Sequence, residues 1–223
     1  KTDGSIETID NPRWLKAKID TIKTLQRVIS VEEIKVKALL GLAPNEPLKK
    51  GRRLPVTAKL KRLYVQLSSI HGKLARQRHD FYHKLTSKLV SRFSVLGSEE
   101  LAVKNMSCAP RSKPNPDKPG EFLPNGTTAK AGLNRAILDG APSMLLGMCR
   151  TKAAEAASVF ALANTREVKP TQRCHNCGTI VKKTLKDRVH RCACGCECDR
   201  DENAAKTLLR WLLEDDFWSG TGQ

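Results

Sequence analysis

Residues 191–205 read RCACGCECDRDENAA, and they place the cysteine pair Cys192 and Cys194 shortly before an acidic helix start. An earlier pair, Cys174 and Cys177, lies in the stretch CHNCG, and fourteen residues separate the two pairs. Two close cysteine pairs at this separation are typical of a small ribbon that folds around one metal ion. These stretches therefore predict the fold of the C-terminal part of the chain.

The two pairs supply the ligands that Zn²⁺ prefers, because this ion takes four ligands in a tetrahedron and binds thiolates at about 2.3 Å. We expect one structural zinc ion with these ligands: Cys174, Cys177, Cys192 and Cys194. The second pair is one residue shorter than the usual spacing, so alternatives stay open. Cys196 or Cys198 could replace a cysteine of the second pair, and His175 or His190 could substitute for one.

Positive charge is concentrated in one region of this 223-residue chain, whose formal net charge is +17. Residues 11–92 hold 20 Lys and Arg against five Asp and Glu, whereas the rest holds 20 against 18. A solvated helix face is the simpler interpretation, but so many cations would repel one another without neutralising phosphates. The charge therefore favours a nucleic-acid partner.

The apolar pattern predicts a mixed α/β fold. Residues 1–10 suggest a hairpin because Asp3-Gly4 is a strong turn dipeptide. Apolar residues recur every three or four positions through 11–92, which predicts a long helical hairpin. A short buried strand should follow and end at Glu99, and helices are expected within 129–157.

The rest of the chain continues the alternation of strands and helices. Residues 159–163 predict a second buried strand, 169–198 the ribbon and 199–213 a final amphipathic helix. The tail over 214–223 is expected to be loose. No run of 18 apolar residues and no signal peptide is present, so we expect no membrane partner and a cytoplasmic, nucleoid-associated protein. The clustered cysteines favour metal thiolates in a reducing compartment.

Two carboxylates end or begin predicted elements. Asp201 stands at the start of the last helix, where an isolated aspartate is most often an N-cap that binds the amides of Asn203 or Ala204. Glu99 ends a buried strand, where a charge is costly unless it has a partner. A polynucleotide hydrolase holds two Mg²⁺ ions about 3.5–4 Å apart on such acids. Glu99 and Asp201 occupy suitable elements for this role.

Six short motifs follow one another along the chain: NPRWL at 11–15, QRHDFYHKL at 77–85, EELAVKNM at 99–106, AGLNR at 131–135, CHNC at 174–177 and DRDENAA at 199–205. This order resembles the TnpB-type transposon nucleases, the OrfB zinc-ribbon family, which are relatives of the type V CRISPR effectors. The resemblance runs over nearly the whole chain, and the ordered set is highly specific.

The resemblance implies a RuvC-like RNase H fold, a mixed sheet with a nested zinc ribbon, and RNA-guided cleavage of DNA with catalytic Mg²⁺. Glu99 matches the acid of the second RuvC motif, and Asp201 matches the acid of the third. Asp199 is the alternative if the register is shifted. Arg200 would lie beside the site and could face a phosphate.

One departure from the family pattern concerns the first RuvC motif, a strand with an aspartate that should lie shortly before residue 1. The first catalytic strand is thus expected to be missing, and Asp3 is a poor substitute. The pattern divides the chain into a RuvC-like region over 1–168, the ribbon over 169–198, and the final motif and helix over 199–213.

The expected function is that of the C-terminal part of an RNA-guided DNA endonuclease. Its expected partners are DNA, guide RNA and an upstream segment that carries the first acid. The alternative is a catalytically inactive or truncated DNA-binding relic or regulator of the same family. A zinc-ribbon protein that binds nucleic acid without a guide would explain the charge and the cysteines but not Glu99 and Asp201.

Overall fold

The computed structural model describes Lys1, residues 3–49, Gly51, and residues 53–184 and 186–214. The chain folds as two compact units. The helical unit is Pro12–Phe81, and the main unit combines Lys1–Asn11 with Tyr82–Gln223. Apart from Glu214, the tail expected over 214–223 lies outside the described residues.

The helical unit is built from two long helices, α1 (Trp14–Leu39) and α2 (Ala58–Arg92), of which α2 continues into the main unit. Their apolar stripes meet in a core of Ile29, Val36 and Leu60. Burial of such side chains stabilises a helix pair more than helix propensity does. The helical hairpin predicted for 11–92 agrees with these two elements.

Acidic residues of α1 connect it to α2 in this otherwise basic unit. Glu32 lies 2.8 Å from the Lys35 ammonium and 2.7 Å from that of Lys59. The Tyr64 hydroxyl donates a hydrogen bond of 2.6 Å to Glu33. Glu32 and Glu33 thus stabilise the contact between the two helices of the unit.

The main unit contains the remaining elements: β1 (Val95–Glu99), α3 (Val103–Met106), α4 (Thr127–Asp139), α5 (Pro142–Glu155), β2 (Val159–Ala163), α6 (Thr165–Val168), β3 (Val189–Arg191), β4 (Glu197–Asp199) and α7 (Arg200–Leu213). Strands β1 and β2 pair in parallel, with Glu99 opposite Ala163. Parallel neighbours need a crossover connection, and helices α3–α5 provide it. Strands β3 and β4 form an antiparallel ribbon.

Helix α7 organises the main unit because it packs on both small sheets. It begins directly where β4 ends, at Arg200. A Cβ atom added at Gly97 of β1 would lie 3.1 Å from Leu212 Cδ2, so glycine permits the close approach of α7 to β1. The C-terminal part of α7 therefore packs closely on the middle of β1.

The mixed α/β fold expected from the sequence is confirmed, with two two-stranded sheets in the described residues. The RNase H-like sheet and its missing first strand stay predictions. The turn expected at Asp3-Gly4 is present, since the Gly4 amide donates to Lys1 O at 3.0 Å. Residues 5–10 form no strand, so the expected N-terminal hairpin is reduced to this turn. Strand β1 is only partly buried, with Val95 exposed.

No described helix has both the length and the apolar character needed to cross a membrane.

Candidate functional site

The two cysteine pairs come together in the main unit. The Sγ atoms of Cys174, Cys177, Cys192 and Cys194, the four-cysteine set, all lie within 4.8 Å of one another. Cys174 Sγ is 3.7 Å from Cys194 Sγ, and Cys177 Sγ is 3.5 Å from Cys192 Sγ. Sulfurs bound at about 2.3 Å in a tetrahedron are about 3.8 Å apart. The arrangement is therefore compatible with a structural zinc site.

A glycine in a left-handed conformation completes the turn at each cysteine pair. Gly178 has φ +77° and Gly195 has φ +86°, a region that glycine enters without steric cost. The Gly178 amide donates to Cys174 O at 2.9 Å, and the Gly195 amide donates to Cys192 O at 3.0 Å. The one-residue-shorter second pair thus still forms a tight turn.

The thiols of the four-cysteine set differ in acidity. Hydrogen bonding from the Thr179 side chain lowers the pKa of Cys177 to about 6. Burial raises the pKa of Cys174 to about 11. Without a cation the cluster therefore holds protons on part of its sulfurs, and metal binding must release them.

The ligands left open by the sequence also lie in this cluster. A ring nitrogen of His190 is within 4.8 Å of the sulfurs of Cys174 and Cys196. A ring nitrogen of His175 is within the same distance of the sulfurs of Cys196 and Cys198. All six clustered cysteines and both histidines thus contribute to one continuous group of soft ligands.

Glu99 and Asp201 line one cavity, although they lie on different elements. Residues of β1 and α7 form most of its wall: Gly97, Ser98, Ala204, Ala205, Leu208 and Leu212. Burial raises the pKa of Glu99, and the nearby negative charge of Asp201 raises it further. Such a carboxylate pair gains from a cation that neutralises both groups.

The two aspartates at the start of α7 differ in their hydrogen bonds and exposure. Asp199 is the N-cap, and its Oδ1 accepts from the amides of Asp201 at 2.7 Å and Glu202 at 3.3 Å. The expectation that an isolated Asp201 caps the helix is therefore wrong, because the cap lies two residues earlier. The Asp201 side chain is 78% exposed. Among the bonds described, its carboxylate pairs with Arg200 and accepts no backbone hydrogen bond.

Arg200 lies beside this carboxylate, as the resemblance implies. Its Nε is 3.3 Å from Asp201 Oδ1, and its Nη1 donates to Asp187 O at 3.2 Å. The guanidinium thus links Asp201 to the backbone of the ribbon.

The chain is similar to a known protein family and to several known proteins. Residues 143–208 match the family described as Cas12f1-like, TNB domain. A Streptomyces pristinaespiralis protein named as an RNA-guided DNA endonuclease is 29% identical over 160 residues, 71% of this chain and 34% of that protein. An Escherichia coli protein of the same description is 29% identical over 147 residues, 65% of this chain and 34% of its own length.

A third relative, a TnpB-like protein of Acanthamoeba polyphaga mimivirus, is 28% identical over 155 residues, 67% of this chain and 26% of that protein. These matches support the assignment of the chain to the TnpB-type family. It spans about a third of the length of the first curated relatives that it matches.

The TnpB-type motif at 199–205 contains a residue whose role the sequence did not reveal. Asn203 is fully buried on α7. Its Nδ2 donates to Arg173 O at 2.7 Å and to Pro170 O at 3.2 Å. Its Oδ1 accepts from the His175 amide at 3.1 Å. One amide side chain therefore joins the helix that carries Asp201 to the backbone of the first cysteine pair.

Two further residues on the same face of α7 extend this connection. The Thr207 hydroxyl donates to Arg173 O at 3.0 Å. Arg210 Nη1 donates to His175 O at 2.6 Å and to Asn176 O at 2.9 Å. The spacing of Asn203, Thr207 and Arg210 follows one helix face. A polar row on an otherwise amphipathic helix was the available signal for this contact.

Proposed function

We propose that this chain carries the RuvC-like catalytic and zinc-ribbon part of a transposon-associated RNA-guided DNA endonuclease, which cleaves DNA phosphodiesters by two-metal hydrolysis. The single observation that carries the proposal is the meeting of Glu99 and Asp201 at one cavity of the main unit. Two close carboxylates of this kind are suited to hold hard divalent cations.

The residues at the cavity fit catalytic Mg²⁺. Burial and the charge of Asp201 both raise the pKa of Glu99, so the pair is electrostatically strained without a cation. Mg²⁺ held there would supply an activated water and charge stabilisation for the leaving oxygen of the phosphodiester. Glu99 and Asp201 would hold the ions, and Arg200 would face a phosphate oxygen.

The parallel pair β1–β2 with α7 packed on it supports the proposed RNase H-like arrangement. In this arrangement Glu99 stands at the carboxyl end of one strand and Asp201 at the start of the helix. The resemblance assigns a third acid to a strand that precedes residue 1. We therefore include an upstream segment among the proposed partners.

Charge supports the proposed nucleic-acid partners, DNA and guide RNA. The excess of cations over 11–92 suits contacts to phosphates, which supply a large, salt-dependent part of such binding. The proposed zinc ion would hold the ribbon on the four-cysteine set. A nucleoid-associated, cytoplasmic location follows from the proposed DNA partner.

The deciding experiment is Mg²⁺-dependent cleavage of single- and double-stranded DNA by the chain with its co-purified RNA. It is run with and without the upstream coding segment added back. Cleavage that requires the segment and Mg²⁺ supports the proposal. Tight DNA binding without cleavage in both cases would establish the alternative, a catalytically inactive DNA-binding relic or regulator.

A matched pair of variants makes this experiment specific to the cavity. Glu99→Gln removes the charge of the proposed ligand, whereas Glu100→Gln removes the charge of its exposed neighbour. Only the first substitution should abolish cleavage. Equal losses in both variants would contradict the assignment of Glu99.

A further inference from the structure

The ribbon contains a second group of metal ligands that shares no residue with the four-cysteine set. The ligand atoms of His175, Cys196 and Cys198 all lie within 4.8 Å of one another. Cys198 belongs to β4, and Cys196 comes directly before this strand. Because the two sets are separate, one metal ion in each can be bound at the same time.

We propose that the ribbon binds a second transition-metal ion on His175, Cys196 and Cys198. Two thiolates and one imidazole are soft and borderline ligands, which favour Zn²⁺ or a similar ion over Mg²⁺. Three protein ligands leave one tetrahedral position for water or another donor. The second site thus differs in chemistry from the closed four-cysteine set.

The ring of His175, whose Nδ1 lies 3.7 Å from Cys196 Sγ, is held in place by a buried amide side chain. Asn203 Oδ1 lies 3.0 Å from His175 Nδ1, and Asn203 itself is fully buried. A ligating histidine commonly has such an oxygen partner, which fixes the ring and its tautomer. The backbone of His175 is held as well, by Asn203 and by Arg210. The ring is therefore preorganised rather than free to rotate.

A buried donor beside the cluster is the second, independent observation. His190 is fully buried, and its Nδ1 lies 2.6 Å from Lys183 Nζ. Its Nε2 has no hydrogen-bond partner among the residues that the structure describes. Because the Lys183 ammonium donates to Nδ1, Nε2 carries a hydrogen.

A ring nitrogen of His190 lies within 4.8 Å of the sulfurs of Cys174 and Cys196. These two residues belong to different ligand sets. A thiolate that binds a metal is a charged acceptor for a buried N–H, whereas a thiol is a weak one. If Cys174 and Cys196 each bind a metal ion, both thiolates can accept a hydrogen bond from the His190 Nε2–H.

Metal stoichiometry of the full chain tests the proposal directly. The chain is titrated with Co²⁺, whose absorption distinguishes four-sulfur from mixed sulfur–nitrogen coordination, and bound Zn²⁺ is measured separately on denatured protein. The expected result is two metal ions per chain, one with four-sulfur coordination and one with mixed coordination. A single metal ion per chain would overturn the proposal, whichever ligands it uses.

Cysteine variants assign the second ion to its ligands. Cys198→Ser should lower the stoichiometry from two to one and keep the four-sulfur spectrum, which also shows that the ribbon is folded. His175→Gln should remove the same ion. Cys108→Ser, an exposed cysteine outside the cluster, should keep both ions. Two ions retained in Cys198→Ser would contradict the assignment. The readout does not depend on DNA cleavage, so it fails or succeeds independently of the proposed nuclease function.

Discussion

The cysteine cluster and the carboxylate cavity are assembled in opposite ways, although α7 borders both. The cluster draws its ligands from residues 174–198, which two tight turns bring together. The cavity joins Glu99 of β1 to Asp201 of α7, far apart in the sequence, through the packing of the main unit. We infer that the cluster can form from local residues alone. The cavity, in contrast, needs α7 to be held in position, and the hydrogen bonds from α7 to the ribbon contribute to this.

The largest effect is expected from Cys174→Ser, which removes the buried cysteine of the four-cysteine set. Loss of this ligand should release zinc and unfold the ribbon, because binding and folding share one free energy. Cleavage, assayed with the upstream segment supplied, should disappear with it, since α7 loses its attachment. Bound zinc and limited proteolysis measure the first effect, and cleavage measures the second.

Cys108→Ser serves as the control for that variant. This cysteine is exposed, and its sulfur donates only to Asn105 O at 3.0 Å among the bonds described. It should keep the zinc content and cleavage of the parent chain. A folded, active Cys174→Ser protein would show that the cavity forms without an intact cysteine cluster. This would contradict the inferred dependence of the cavity on the cluster.

Glu99→Ala and Asp201→Ala should affect the cavity and leave the cysteine cluster intact. Each should lower cleavage by about 10²-fold or more, because a preorganised charge at the reacting phosphate is lost. DNA binding and zinc content should stay nearly unchanged. Cleavage and electrophoretic binding assays on the same samples separate the two effects. A loss of binding as large as the loss of cleavage would count against a catalytic role.

Asn203→Ala tests the connection between the two regions. It removes buried hydrogen bonds to Arg173, Pro170 and His175, at a cost of roughly 1–3 kcal/mol. Thr207→Val removes one hydrogen bond from the same helix face and should cost about 1 kcal/mol. Thermal unfolding with saturating zinc measures both.

The cleavage rates of these two variants sharpen the result. Asn203→Ala should slow cleavage more than Thr207→Val while zinc stays bound, since the attachment of α7 and not the metal is changed. Unchanged cleavage in Asn203→Ala would show that the position of Asp201 does not rely on the ribbon.

The smallest effect is expected from Gly97→Ala. The new Cβ would lie 3.1 Å from Leu212 Cδ2, so the end of a leucine side chain must move slightly. The cost should be roughly 1 kcal/mol, typical of mild overpacking. Adding Leu212→Val should recover much of this loss in thermal unfolding. A double variant less stable than Gly97→Ala would show that the contact between β1 and α7 tolerates no adjustment.

Local patterns explain why much of the main unit could be predicted from the sequence. The expected bounds of β2 agree with Val159–Ala163, and α4 and α5 together span 127–155, where helices were expected within 129–157. The cysteine spacing indicated the four-cysteine set because metal ligands on tight turns are close in sequence. Each of these features depends on neighbouring residues alone.

Features that depend on distant partners could not be predicted in the same way. The hairpin expected at 1–10 had a suitable turn but no pairing strand, because a turn dipeptide does not supply a partner. The division of the chain at Phe81 and Tyr82 falls inside one continuous helix, where periodicity shows no boundary. Asn203 bonds to three backbone groups, all from 170–175, and the helical pattern around it does not indicate these distant partners.

The direct passage of β4 into α7 has a mechanical consequence. Asp199 ends the strand and Arg200 begins the helix, so no loop residue lies between them to act as a hinge. Hinges need a few positions that absorb backbone rotation. We therefore expect Asp201 and β4 to move together, so that a displacement of β4 would also change the distance between Asp201 and β1.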